Sequence, residues 1–257
     1  MRTTVVDERW SQASGIPFRR LQVGPEQELV NWFLQELPFS PPAGCRTTVF
    51  REPRLESGFP DVVVVIWRPE TTLRWADQRR ELTTRDIRVL HHLALRGPST
   101  LEELSEPFAG GLVRCLERLE SAATIRRIGK RYSARSLSRT FAVQRIIAFE
   151  AKVRGWNGVL AQASLNTWFA SHSFVLIPDS PRVEDFAQAA LLRGVGVWTQ
   201  DHGCVSQPAE DIGRLPLSYA SWLFNEWVWR IHRLDSDSDS CLSTSIGYEQ
   251  NSLCCKT

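Results

Sequence analysis

Pro60-Asp61-Val62-Val63-Val64-Val65-Ile66-Trp67 decides the fold. The unbroken apolar run is rich in β-branched residues and too short for a helix of ordinary length, so it reads as a strand. Its apolar side chains point to both faces. Both faces therefore need cover, and the strand belongs in the middle of a sheet. An aspartate opens it. A second run, Ile146-Ile147-Ala148-Phe149-Glu150-Ala151-Lys152, has the same character and closes on Glu-x-Lys. If the two strands are neighbours, Asp61 and Glu150 meet at one sheet end. Lys152, two residues past Glu150, projects to the same strand face because side chains alternate.

The flanking pattern is that of an α/β protein. Residues 1–24 read as an extended lead-in. Pro25 then precedes Glu26 to Leu37, where Leu29, Trp32, Phe33 and Leu37 recur at helical spacing. Pro38 and Pro41-Pro42 end that helix, and Thr47 to Arg51 is β-rich. After the Glu-x-Lys strand (Arg145 to Val153) come a helix over Asn157 to Phe169, a strand over Ser173 to Ile177, a helix over Val183 to Leu192 and a last strand over Gly194 to Thr199. Such alternation predicts a mixed sheet flanked by helices, with some parallel pairing. A tryptophan-rich helix over Leu217 to Leu234 (Trp222, Trp227, Trp229) belongs to the core, and Asp201-His202 reads as a turn. From Asp235 the Asp-Ser repeats predict a disordered tail.

Between the two apolar strands lies a different register. From about Arg79 to Arg139 the pattern is helical and self-contained. Leu82 to Asp86 is a helix entry ahead of Ile87 to Leu95, Gly97-Pro98 breaks the chain, and Ser99 stands three residues before Glu102 at capping-box spacing. Leu112, Leu116 and Leu119 mark a third helix. Thr124 to Tyr132 reads as two short strands around Gly129-Lys130. His91 and His92 are adjacent, point in different directions and read as structural.

Eight basic residues (Arg114, Arg118, Arg126, Arg127, Lys130, Arg131, Arg135, Arg139) face two acids (Glu117, Glu120) between 114 and 139, a local +6 in a chain of net +2. That asymmetry predicts an anionic partner for this segment. The 257 residues are 42% hydrophobic and 23% charged, values of an ordinary soluble chain. Six cysteines show no zinc-ligand spacing, the N-terminus lacks the apolar core of a signal peptide, and no run is long enough to span a bilayer. These features predict reduced thiols, a cytoplasmic location and no membrane partner.

Three short helices followed by a basic hairpin resemble a winged-helix module, with Ile125 to Tyr132 as the wing. The resemblance implies DNA as partner, contacted by Arg114, Arg118, Arg126, Arg127, Lys130, Arg131 and Arg135. The remainder resembles the PD-(D/E)XK nuclease superfamily over residues 26–67 and 141–200. Asp61 matches its metal-binding aspartate, Glu150 and Lys152 its Glu-x-Lys, Gln162 its helix glutamine, and Glu26, with Glu28 as the alternative, its first-helix glutamate. Asn166 stands where some branches carry tyrosine.

The resemblance implies a restriction-endonuclease-like α/β domain (1–77 and 141–234), a winged-helix insertion (78–140) and a tail (235–257). The activity it implies is Mg²⁺-dependent DNA hydrolysis of the endonuclease type, with Mn²⁺ as a substitute. A hard cation suits oxygen ligands: the Asp61 and Glu150 carboxylates and the Ala151 carbonyl. Such an ion would activate water and polarise the phosphoryl group, with Lys152 offsetting charge on the phosphate. Cutting both strands with one site per chain would call for a homodimer. The rival reading is a DNA-binding regulator on a degenerate nuclease-like scaffold.

Overall fold

The computed structural model describes residues 3–37, 39–208 and 215–246. Pro38 and the last part of the expected tail, 247–257, lie outside them. The strands are β1 (Thr3–Val6), β2 (Arg46–Arg51), β3 (Val62–Trp67), β4 (Ser99–Thr100), β5 (Ile125–Ile128), β6 (Arg131–Ala134), β7 (Val143–Ala151), β8 (His172–Ile177), β9 (Val195–Thr199) and β10 (Gly203–Ser206). The main helices are α2 (Pro25–Glu36), α4 (Thr84–Arg96), α5 (Leu101–Ser105), α6 (Leu112–Ser121), α8 (Asn157–Asn166), α9 (Val183–Leu191) and α10 (Tyr219–Ile246). Single turns α1 (Ser11–Ser14), α3 (Pro69–Thr72) and α7 (Leu137–Thr140) complete the set.

Seven strands form one mixed sheet in the order β1-β2-β3-β7-β8-β9-β10. β3 is an interior strand next to the central β7, antiparallel to both β2 and β7, and all six of its residues are buried. Val62 and Val64 face Leu29, Val30 and Phe33 of α2. Val63, Val65 and Trp67 face the other layer, where α10 supplies Phe224, Trp227 and Val228. Each fully buried valine contributes on the order of 1.5 kcal/mol or more. β7, β8 and β9 run parallel, joined by α8 and α9, because parallel neighbours need a crossover.

Two edge strands depart from the expected pattern. The lead-in is not merely extended: Thr3–Val6 pairs parallel with β2. Nor is β9 the last strand, since Gly203–Ser206 returns antiparallel beside it, with the Asp201-His202 turn between. Gly196 in β9 is fixed by packing, because a Cβ there would collide with the Phe174 ring and the Ser206 carbonyl.

The chain between β3 and β7 forms three helices and a small sheet of order β4-β6-β5. It leaves and returns at neighbouring points: Trp67 is the register partner of Val143, and the Arg68 N–H donates to the Ala142 carbonyl at 3.0 Å. Thr83 and Asp86 cap α4 reciprocally. The α5 cap is Thr100 with Glu103, one residue beyond the expected Ser99, which pairs with Tyr132 in β4 instead.

This segment is not self-contained. Ile87, Leu90, Leu93, Leu116 and Leu119 share one continuous core with Trp222 and Phe224 of α10 and with the sheet. α10 itself continues to Ile246, beyond the expected start of the tail at Asp235.

Candidate functional site

β2 ends, β3 begins and β7 ends at the same side of the sheet. Arg51 pairs with Val62, and Val62 with Phe149. The next position on each strand is an acid: Glu52, Asp61 and Glu150. Sheet pairing therefore places three carboxylates in one row. The Glu52 N–H donates to the Asp61 carbonyl at 3.1 Å, extending the ladder by one step.

The row is held from several directions. Asp61 Oδ2 accepts from the Ala151 N–H at 2.7 Å. In an extended strand a residue's N–H and C=O lie on the same edge, so the Ala151 carbonyl is also turned to the Asp61 side. Glu150 is 7% exposed, and its Oε1 accepts from Asn166 Nδ2 at 2.7 Å. Asn166 is the last residue of α8 and is itself buried. Gln162, one turn earlier, is exposed; the helix amide that reaches Glu150 is Asn166, because α8 turns its 166 side toward β7.

The cations differ from expectation. Lys152 Nζ lies 2.6 Å from Glu26 Oε1, and the cation beside the carboxylate row is Arg19. Its Nη2 is 2.8 Å from Glu52 Oε1 and 3.8 Å from Asp61 Oδ1. Glu26 is thereby the first-helix acid that reaches Lys152; Glu28, like Glu26, is exposed. Glu52 holds a left-handed backbone at φ 53°, a conformation that costs a non-glycine residue about 1–2 kcal/mol and that gathers at functional sites.

Four carboxylates (Glu26, Glu52, Asp61, Glu150) thus share two cations (Arg19, Lys152). Both central acids titrate above the ordinary carboxylate range, and burial is the first cause. Burial raises Asp61 to about 7, assisted by the charge of Glu52, while the Ala151 N–H and Arg19 oppose the rise. Burial raises Glu150 to about 8, assisted by Asp61 and then Glu52, against the Asn166 hydrogen bond and Arg19.

No group of three or more His, Cys, Asp or Glu stands in metal-holding arrangement among the described residues; Glu52 is turned onto Arg19. The donor set is nonetheless all oxygen, two charges short of neutral, and matches a hard divalent cation. Asp61, Glu150 and the Ala151 carbonyl are the groups that fit it.

The basic segment divides. Arg118 is bound to the buried Asp86 through Nη2 at 2.7 Å and Nε at 2.9 Å, tying α6 to α4. It is a structural residue, not a free DNA contact. Arg131 donates to the Pro98 carbonyl at 2.8 Å, Arg135 to the Ile125 carbonyl at 3.2 Å and Arg127 to the Gly129 carbonyl at 3.1 Å. Arg114, Arg126 and Lys130 are exposed. The outward face of α6 carries Val113, Glu117 and Glu120 beside Arg114, so the positive charge of this segment is concentrated on the β5–β6 hairpin.

His91 Nε2 lies 2.9 Å from the Leu217 carbonyl and His92 packs on Phe108, both structural contacts. Cys45, Cys115 and Cys204 are free. No helix is long and apolar enough to cross a membrane among the described residues.

Glu52, Arg19 and the role of Asn166 escaped sequence reasoning. Glu52 carried the same signal as the other two acids, a β-rich run closing on a carboxylate. Arg19 carried none, since it reaches the row through pairing of 17–19 with 52–54. Comparison of the chain with protein-family models, with curated proteins and with solved structures found no match.

Proposed function

We propose that this protein is a divalent-cation-dependent nuclease that hydrolyses DNA phosphodiester bonds. The observation that carries the reading is the row of acids at one sheet end, Glu52 and Glu150 buried and Asp61 half-buried, with Asp61 and Glu150 left short of positive charge. Asp61, Glu150 and the Ala151 carbonyl would hold Mg²⁺ or Mn²⁺, and the ion would supply activated water and charge neutralisation at the phosphate. Asn166 fixes the Glu150 carboxylate. Glu26 holds the Lys152 ammonium at the rim, within reach of a phosphate oxygen arriving from solvent. Arg19 offsets part of the charge of the row before substrate arrives.

The segment 84–134 supports a winged-helix reading through its helix–strand–helix–helix–hairpin order and its β4-β6-β5 sheet. In this reading the hairpin, with Arg126, Arg127 and Lys130, grips the phosphate backbone, and α6 contributes less than a recognition helix ordinarily does. The first helix of the segment turns back toward the acids, where Arg88 pairs with Glu56 on the loop between Glu52 and Asp61. Cleavage of both strands would require a second copy of the chain.

The test is cleavage of single-stranded, duplex and branched DNA with and without Mg²⁺. Strand breaks should need the cation and should vanish in Asp61→Ala, Glu150→Ala and Lys152→Ala, with Glu28→Ala active. Salt-sensitive DNA binding without cation-dependent turnover would overturn the catalytic reading and leave a DNA-binding protein.

A further inference from the structure

The module joins the sheet at the end of β3 opposite the acids, and a cavity of about 530 Å³ opens at that junction. Arg74, Arg135 and Arg139 line it together with Ser138, Trp75 and Glu70. Arg74 and Arg139 are exposed and make no ion pair among the described residues. Arg135 spends Nε on the Ile125 carbonyl, and its terminal nitrogens have no partner among the described residues. Glu70 is the one acid in the lining and is exposed. A fourth lining arginine, Arg79, is already neutralised by Glu226. Arg74, Arg135 and Arg139 therefore line one concave surface, with Glu70 the acid among the lining residues.

The floor is rigid. The Trp75 indole N–H donates to the Arg139 carbonyl at 2.8 Å, and Arg79 stacks 3.4 Å from the Trp75 ring centroid. Ala123, also in the lining, holds a left-handed φ of 54°. Guanidiniums are the side chains suited to phosphate recognition, because their planar donors match its oxygens. Mutual repulsion among such groups disfavours their convergence unless an anion relieves it.

We infer that this junction cavity is a phosphate-binding site and that its ligand is the backbone of a nucleic-acid strand. The inference rests on the nucleic-acid part of the proposed function and not on cleavage. β3 separates the cavity from the acids by about 20 Å at 3.3 Å per residue, so a strand anchored here would be gripped away from the reacting phosphodiester. Arg135 links the cavity to the basic hairpin, which makes one continuous positive path.

The test measures binding of a fluorescent single-stranded oligonucleotide and of the same sequence as duplex, across a salt series. The proteins are the full chain, Arg74→Glu/Arg139→Glu, and the control Arg182→Glu/Arg193→Glu, two exposed arginines at the ends of α9. A second arm asks whether inorganic pyrophosphate raises the thermal midpoint of each. The cavity variant should weaken oligonucleotide binding by tenfold or more and flatten the salt slope by about one to two contacts, with its unliganded thermal midpoint kept. The control should do neither.

Wild-type binding that the cavity variant retains would overturn this inference alone. Absence of wild-type binding to any nucleic acid would overturn it and the DNA reading together. Pyrophosphate stabilisation lost only in the cavity variant, without oligonucleotide binding, would keep the phosphate site but overturn a nucleic acid as its source.

Discussion

β7 has buried charge at both of its ends, and the two ends are built differently. Beside its start, Arg79 and Glu226 are both withdrawn from solvent at 1% and 0% exposure. Arg79 Nε donates to Glu226 Oε2 at 2.9 Å and its Nη2 to the Thr140 carbonyl at 3.0 Å. Asn225 completes the network by accepting from the Ala142 N–H at 2.7 Å and donating to Thr140 and Glu226. Glu226 is bonded to one cation, Arg79, with the Arg230 guanidinium within Coulombic reach, and neutral donors and acceptors fill the remainder. At the other end, Asp61 and Glu150 have hydrogen bonds but too few cations. The first cluster joins α10 to the point where the module re-enters the sheet, so its work is finished once the chain is folded. The second retains an electrostatic deficit that only something outside the chain can remove.

Breaking the paired end should have the largest effect on stability. Glu226→Ala leaves Arg79 buried and uncompensated, a loss of about 3–5 kcal/mol, and should lower the thermal midpoint by roughly 10 °C at about 2–4 °C per kcal/mol for this chain length. The double variant Arg79→Met/Glu226→Leu should recover most of that loss, because an apolar pair of similar volume avoids desolvation. A midpoint unchanged in Glu226→Ala would show that the network is not a clamp. At the unbalanced end the direction reverses. Asp61→Asn keeps an oxygen for the Ala151 N–H and removes a charge from the row. It should raise the midpoint at pH 8 while reducing cation-dependent cleavage by about 10² or more. A variant that is both less stable and fully active would remove the distinction between the two ends.

The pH dependence sharpens the same contrast. Asp61 rises to about 7 and Glu150 to about 8 in the fold, whereas both sit at about 4 when unfolded. A raised carboxylate favours the fold while protonated. Its contribution is full below about pH 4 and is lost as pH climbs through 7 and 8. Without divalent cation, the thermal midpoint should therefore fall between pH 5 and pH 8. With Mg²⁺ present the fall should shrink, since the ion takes the place of the protons. Asp61→Asn/Glu150→Gln should flatten the profile without Mg²⁺. Identical wild-type and variant profiles in that window would sink the argument.

Where the fold was readable, local chemistry and final packing agreed. The Val62 to Trp67 run has one solution, a covered interior strand, and its neighbour had to be another run of the same kind. The edge strands were opaque because Thr3–Val6 and Gly203–Ser206 are four residues each and only half covered, so periodicity had little to act on. The site was legible where strand alternation controls it, at Asp61 and Glu150. It was not legible where the partner comes from elsewhere in the chain. Lys152 was expected beside the carboxylates, yet it follows the end of β7 and is taken by Glu26, while Arg19 arrives through a loop pairing without sequence pattern. The choice of Asn166 over Gln162 depends on how α8 is rotated on the sheet, and the low contrast between its faces left that undetermined.

The smallest effects divide the basic residues by the same criterion, whether a charge is matched inside the chain. Arg118 is one-third exposed and faces Asp86, which is fully buried. Arg118→Ala strips the charged donors from Asp86 and should cost about 1–3 kcal/mol of stability; at any temperature where the variant is folded, its DNA affinity should stay near wild type. Arg126, exposed on β5, has no such partner among the described residues. Arg126→Ala should change stability by less than about 0.5 kcal/mol, yet weaken DNA binding severalfold and lower the salt slope by about one. Thermal melts and binding isotherms on the two variants check both halves. The opposite assignment, with Arg118 governing affinity and Arg126 governing stability, would mean that the Asp86 contact yields to DNA and that the segment binds through α6 after all.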